Sequence, residues 1–228
     1  ILKRIKEKRQ PILILDEVQT LQDIYMNGEI KKKHLLTEFF NFLVRLTKET
    51  HLAHVVVMTS ETLFLEKIYN HSKLAKTSDF YLIEHFDQKT VREWFDHEGI
   101  KEENIFQLIW EYFGGAAIDL VDAMRVYKQK GRQELEDFLL DEAKIYRGKL
   151  SHFIAEILEE LDEKRMFKGI LEEMLKQGFV VRDNENNLQR RVMNKAIEHE
   201  FLFLNPREEK IVFNSQIVRK GAELLMKG

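Results

Sequence analysis

Four aliphatic residues, Ile12-Leu13-Ile14-Leu15, stand unbroken between Pro11 and the carboxylate pair Asp16-Glu17. A strand buried on both faces of a parallel sheet carries a continuous apolar run of this kind rather than an alternating one. Pro11 can open such a strand but not sit inside it. A second β-branched run, Val55-Val56-Val57-Met58, ends in Thr59-Ser60, and Phe80-Tyr81-Leu82-Ile83 is a third strand candidate. Between the first two, Leu35, Leu36, Phe39, Phe40, Leu43, Val44 and Leu46 recur at helical spacing behind the basic run Lys31-Lys32-Lys33-His34. Ile1 to Arg9 reads as a helix end, Glu61 to Tyr69 as a helix, and Val18 to Glu29 as a polar connection with a turn at Asn27-Gly28. Alternating helices and strands predict a parallel sheet with crossover helices, whose right-handed connections align the strand ends along one rim.

After Glu84 the strand signals stop for a long stretch. Asp87 is placed to cap a helix carrying Val91, Trp94 and Phe95, and Ile105, Leu108, Ile109, Tyr112 and Phe113 mark a second helix that stops at Gly114-Gly115. Further helices are predicted through Ile118 to Tyr127 and Glu134 to Tyr146. The pattern changes again from Gly148. Helices through Phe153 to Leu161 and Met166 to Leu175 are followed by extended Phe179-Val180-Val181 and a helix over Leu188 to Glu198. Phe201 to Leu204 and Lys210 to Phe213 then flank a five-residue loop as a hairpin, and a last helix runs through Val218 to Met226. Helices followed by a hairpin is the winged-helix order, a helix-turn-helix variant.

Composition narrows the chemistry. The 228 residues are 44% hydrophobic with 16 Phe, enough for a packed core, and the formal charge of −3 makes no general electrostatic case for nucleic acid. The absence of cysteine excludes disulfides, cysteine zinc sites and thiol catalysis. No apolar stretch approaches the roughly 20 residues of a membrane span and no signal-peptide pattern opens the chain, so a cytoplasmic protein with no membrane partner is expected. No Gly-x-Ser-x-Gly elbow is present, and the histidines show no metal-binding pair on one helix. Trp94 and Trp110 fall at core spacing.

Asp16 and Glu17 follow the carboxyl end of a predicted strand, where open α/β sheets bind ligands. In P-loop NTPases an Asp at this place helps hold Mg²⁺ while a neighbouring polar group positions the attacking water. The pair therefore reads as a Walker B element with Asp16 on the metal side and Glu17 as candidate general base; the plain alternative is a strand exiting into solvent. Arg190, Arg191 and Lys195 lie on the helix before the hairpin, where a DNA-reading face falls. Acidic Glu198 and Glu200 follow closely, which favours a protein-contact or intramolecular role over DNA.

Taken together, Ile12 to Gln19, the strand ending Met58-Thr59-Ser60, the element Tyr112-Phe113-Gly114-Gly115 and the Phe201 to Phe213 hairpin resemble the archaeal ATPase family, P-loop NTPases allied to the AAA+ and signal-transduction NTPases. The resemblance implies an α/β P-loop core with a partial parallel sheet over residues 1–85, a helical lid over 86–147 and a winged helix over 148–228. It implies ATP and Mg²⁺ as cofactors, with Asp16 assisting Mg²⁺ and Glu17 polarising water. Thr59 or Ser60 would sense the γ-phosphate, and Gly114 and Gly115 would lie near the base. Such a protein acts as an ATP-driven switch, a possible oligomer, with a protein or DNA partner at the winged helix.

The sequence departs from the family pattern in three places. No glycine precedes a Lys-Ser or Lys-Thr pair, as a Walker A loop requires; Gly148-Lys149 is followed by Leu150. That loop is expected upstream of Ile1, and this stretch by itself is expected to bind ATP poorly and hydrolyse none. Ala116-Ala117 stands where the family places a proline, and only Lys73 or Lys76 could replace an arginine expected after the sensor strand. A non-enzymatic winged-helix module on a degenerate NTPase scaffold is the competing expectation.

Overall fold

Strands β1 (Ile12–Leu15) and β4 (His54–Val57) pair in parallel, Ile12 opposite His54 through Leu15 opposite Val57. The computed structural model describes residues 9–21, 24–26, 33–64, 78–182, 186–205 and 208–227. Between these strands the chain makes a 3₁₀ turn at Val18–Leu21, the two-residue antiparallel pair β2 (Tyr25–Met26) and β3 (Lys33–His34), and helix α1 (Leu35–Val44) with a π turn at Arg45–Glu49. The chain divides into two compact units, Ile1–Tyr81 and Leu82–Gly228.

In the first unit the apolar stripe of α1 meets one face of the β1–β4 pair. Val18, Phe40, Leu43 and Phe64 are buried there, and Leu15, Leu36, Phe39, Val55 and Val57 pack on them. The opposite face departs from the expectation of a strand covered on both sides: Ile12 and Ile14 are each 64% exposed, and Val56 and Met58 are exposed beside them. No described residue supplies the second covering layer. The polar connection expected after Glu17 also differs, because Val18 and Gln19 are buried in the 3₁₀ turn.

The third strand expected at Phe80–Ile83 does not form. Residues 78–87 are irregular, and Tyr81 is 89% exposed. β-propensity measures fit to a neighbouring pleated surface, and no described strand lies alongside to provide one. All of the helix end expected over Ile1 to Arg9 except Arg9 itself, the Asn27-Gly28 turn, Lys31, Lys32, Lys73 and Lys76 lie outside the described residues, as does all of the Glu61–Tyr69 helix beyond residue 64.

The second unit begins with helices α2 (Gln88–His97), α3 (Glu103–Phe113), α4 (Ala117–Lys130) and α5 (Arg132–His152). Asp87 caps α2 as expected, its Oδ1 accepting from the Thr90 amide at 2.7 Å. Val91, Phe95, Phe106, Ile109, Leu120 and Leu135 converge in one core, against which Trp94 and Trp110 pack half-buried. The helix expected over Glu134 to Tyr146 is longer at both ends, so the division expected at 147/148 falls inside α5. Then follow a π turn at Phe153–Ile157, α6 (Leu161–Gln177), β5 (Val180–Val181), α7 (Asn187–Glu198), β6 (Leu202–Asn205), β7 (Lys210–Phe213) and α8 (Gln216–Lys227).

The last three strands form an antiparallel sheet in the order β5-β7-β6. Phe153 centres the core beneath it, its ring 4.9 Å from that of Phe167 and 5.2 Å from that of Phe201. Helix α8 returns along α5 so closely that a Cβ on Gly221 would stand 2.7 Å from Tyr146 Cβ.

Gly148 and Gly169, by contrast, lie inside α5 and α6 with nothing within 4 Å of an added Cβ. A glycine inside a helix costs about 0.5–1 kcal/mol relative to alanine, through the extra freedom of the unfolded chain. Gly169→Ala and Gly148→Ala are each expected to raise the unfolding free energy by that amount, read as a higher urea midpoint at unchanged slope; a lowered midpoint in urea melts would contradict the open space at these sites.

Candidate functional site

β1 and β4 run side by side in the same direction, so their carboxyl ends meet at one edge. The Met58 amide donates to the Leu15 carbonyl at 2.7 Å, which carries the pairing one step past the strands. Asp16 and Glu17 follow β1 directly at this edge, and Met58, Thr59 and Ser60 follow β4. Asp16, Glu17, Thr59 and Ser60 thus share the rim, while Gly114, Gly115, Arg190, Arg191 and Lys195 belong to the other unit.

Each rim residue is held locally. Asp16 is exposed, and its Oδ1 accepts from the Glu17 amide at 2.9 Å. Glu17 has a left-handed backbone, φ 53°, uncommon for a residue with a Cβ. Its carbonyl accepts from the Thr20 amide at 3.2 Å and from Thr20 Oγ1 at 2.8 Å, closing the 3₁₀ turn that forces this bend. The Glu17 carboxylate accepts from Gln19 Nε2. Across the rim, Thr59 Oγ1 accepts from the Glu61 amide at 3.1 Å and so is engaged at the start of the helical turn over residues 62–64, and Ser60 is exposed. Gln19, 4% exposed, closes the stretch that carries the family resemblance, but its burial and its bond to Glu17 are not legible there. Its only signal was an amide two positions beyond a carboxylate in a tight turn.

Gly114 ends α3 with φ 55° and ψ −128°, its amide donating to the Trp110 carbonyl at 2.8 Å. Gly115 is buried against the main chain of Phe86, whose amide donates to the Gly115 carbonyl at 3.1 Å. A Cβ on Gly115 would fall 1.8 Å from the Phe86 carbonyl oxygen, so this close approach alone demands glycine.

Arg191 and Lys195 converge on one buried carboxylate. Arg191 Nε lies 2.8 Å and Lys195 Nζ 3.2 Å from Glu163 Oε1 on α6, and Lys195 also reaches the Ile157 carbonyl at 3.5 Å. Glu163, 1% exposed, accepts from the Glu159 and Glu160 amides at 2.9 and 3.4 Å and so also caps α6. Arg190 is exposed and Arg182 Nη2 reaches Asn194 Oδ1 at 3.4 Å. Burial opposes ionisation of Glu163, but the Lys195 hydrogen bond and charge with the two amides outweigh it and hold its carboxyl below the ordinary glutamate value.

A depressed carboxylate contributes stability that is present above its unfolded pKa and lost as pH falls through the folded one. Stability should therefore decline below about pH 4.3, the ordinary glutamate value, and Glu163→Gln should weaken this part of the decline. At neutral pH that substitution is expected to cost about 2 kcal/mol. The figure is moderate because the side chains of Arg191 and Lys195, 49% and 27% exposed, keep contact with water. Urea melts at pH 4 and 7 measure both effects.

Among the described residues no cluster of three His, Asp or Glu side chains is arranged to hold a metal, and no helix is long and apolar enough to cross a membrane. A parallel strand pair with an acidic and hydroxyl rim belongs to the α/β proteins that bind ligands at strand ends. Residues 1–123 match the family described as an ATPase domain predominantly from Archaea, and the chain belongs to it. An ATP-binding protein of Methanocaldococcus jannaschii is 31% identical over 97% of this chain and 60% of its own length. Another from the same organism is 35% identical over 80% of this chain and 48% of its own. An ATP-binding protein of Pyrococcus abyssi is 32% identical over 96% of this chain and 62% of its own. The chain thus spans about half to three fifths of the length of these relatives. The solved Walker-type ATPase of Pyrococcus abyssi shares the fold, with a TM-score of 0.61 at 13% identity over 97% of this chain and 65% of its own.

Proposed function

We propose that this chain is part of an ATP-driven switch in which Mg-ATP binds at the rim of β1 and β4. The observation that carries this reading is the parallel pairing that brings Asp16, Glu17, Thr59 and Ser60 to one edge. Relatives named for ATP binding support the choice of ligand. Mg²⁺ keeps several waters and takes one or two carboxylates besides phosphate oxygens. Asp16 fits that demand, being exposed with one oxygen occupied by the Glu17 amide and the other able to meet a metal-bound water. When bound, the ion neutralises charge on the phosphates. Glu17 polarises the attacking water, and Thr59 or Ser60 senses the γ-phosphate.

The phosphate-cradling loop belongs, in this reading, to residues outside these 228, for which the relatives' greater length leaves room. Residues 86–147 act as the lid, and residues 148–228 as a winged helix. Because Phe86 covers Gly115, contact with the base falls to Gly114. The capture of Arg191 and Lys195 by Glu163 supports an intramolecular role for α7 over DNA reading. ATP turnover coupled to lid movement would place this protein among switches in which the γ-phosphate orders or releases a domain.

The test is Mg²⁺-dependent ATP turnover by the full-length protein. Asp16→Asn is expected to raise the Mg²⁺ concentration needed for half-maximal turnover several-fold; an unchanged Mg²⁺ titration removes Asp16 from the metal role. Failure of the full-length protein to bind ATP at millimolar concentration ends the nucleotide reading.

A further inference from the structure

We propose that Gln19 is a positioning residue for Glu17, its buried side-chain amide fixing the orientation of the carboxylate at the strand rim. The proposal rests on the reading of Glu17 as the group that activates water. Glu17 is exposed, and a long exposed side chain samples many rotamers. Two neighbours remove that freedom. Thr20 locks the main chain through its amide and hydroxyl on the Glu17 carbonyl. Gln19 locks the side chain through Nε2 on Glu17 Oε2. Gln19 is itself rigid because it is buried beside Val18 in the 3₁₀ turn, and Val18 is part of the core formed with Phe40, Leu43 and Phe64. A carboxylate that must meet a water in one geometry is held by a partner whose own rotamer is fixed by packing.

Fold support alone does not account for an amide here. Gln19 Oε1 is buried and has no hydrogen-bond partner among the described residues. A buried unsatisfied acceptor is destabilising, and methionine would fill a similar volume without it. The side chain therefore works against local stability while donating one hydrogen bond to the residue in the catalytic position, the pattern of a functional rather than a packing choice. Donation to Oε2 leaves Oε1 of Glu17 as the oxygen for the attacking water.

In the full-length protein, Gln19→Met is expected to lower kcat for ATP about 10-fold or more, with KM within twofold and the melting temperature unchanged or raised. Gln19→Glu sets two carboxylates together and should lower kcat further. Wild-type kcat in Gln19→Met, or a raised KM with kcat intact, overturns the positioning role while Glu17→Gln still reports on the base. Wild-type turnover in Glu17→Gln instead overturns the underlying reading. A readout independent of activity is the ¹⁵N resonance of the Gln19 side-chain amide. Its protons should exchange slowly in the wild-type chain and quickly in Glu17→Ala; equal exchange in both overturns the contact.

Discussion

Glu17→Gln in the full-length protein is expected to bind ATP with wild-type affinity and to hydrolyse it at least about 100-fold more slowly. A positioned general base contributes roughly 10²–10⁴ in rate, and an amide cannot accept the proton. The substitution is well matched to its question because the surroundings tolerate it. The side-chain oxygen of a glutamine at 17 still accepts from Gln19 Nε2, and the bonds from Thr20 to the carbonyl of residue 17 are to main chain, which the substitution leaves alone. Asp16 keeps its bond to the amide of residue 17. The fold of the rim is therefore retained, and a loss of turnover reports the lost base. Phosphate release measures turnover, and calorimetric titration with ATP measures affinity. Turnover at the wild-type rate ends the assignment of Glu17; loss of affinity together with turnover shows a binding role instead.

The rim could be read from the sequence because its signal is local. An unbroken apolar run of four residues fits a strand whose neighbour runs parallel, and the polar residues that follow each run fall at the same edge by topology alone. Phe80–Ile83 carries the same kind of run, yet is irregular with Tyr81 exposed, because a strand exists only through its neighbour. The covering of Ile12 and Ile14 was overestimated for a related reason: composition shows that a face is apolar, not that another element lies on it. From residue 88 to 152 the helices are legible from their 3.6-residue spacing, Asp87 marking the first of them by its capping oxygen, whereas the helix expected over Phe153 to Leu161 is a π turn that ends at Ile157, with Leu158 extended.

Charge was less legible than hydrophobicity. Arg191 and Lys195 sit on a helix before a hairpin, a position that suggests an outward basic face, but both converge on Glu163 some thirty residues earlier. Glu163 lies three residues beyond Glu160, the spacing of a helix-capping carboxylate, and that spacing signals the cap without revealing the ion pairs. Long-range pairing of this kind depends on how α6 and α7 pack, which periodicity does not encode. Gln19 is obscured by the opposite habit: a glutamine in a turn is ordinarily solvated, and here it is buried in the 3₁₀ turn.

Gly115→Ala is expected to destabilise the second unit by roughly 3 kcal/mol or more, above the usual range for overpacking, because what the new methyl meets is main chain. Its Cβ would stand 1.8 Å from the carbonyl oxygen of Phe86 and 2.6 Å from the Phe86 nitrogen. A clash with the end of a flexible side chain is relieved by a rotamer change, whereas relief here requires moving the backbone. That backbone is pinned on both sides. Asp87 next to it caps α2 through Thr90, and His85 Nε2 lies 3.2 Å from the Asn214 carbonyl. Moving the strap would also break the Phe86 amide's bond to Gly115. Gly114→Ala has a different cause and a smaller cost. Its Cβ has room, the nearest atom being Gln216 Cβ at 3.5 Å, and the cost is the backbone at φ 55° and ψ −128°, about 1–3 kcal/mol. Urea melts of the two variants in the absence of nucleotide separate these terms, and equal midpoints for Gly115→Ala and wild type would contradict the packing of Phe86 on this turn. Because the Gly115 cost arises without ATP, a loss of ATP affinity in that variant is attributable to the base contact only if it exceeds what the loss of folded protein explains; for Gly114, where a Cβ meets only Gln216 at ordinary contact distance, a nucleotide contact predicts an affinity loss larger than the stability loss.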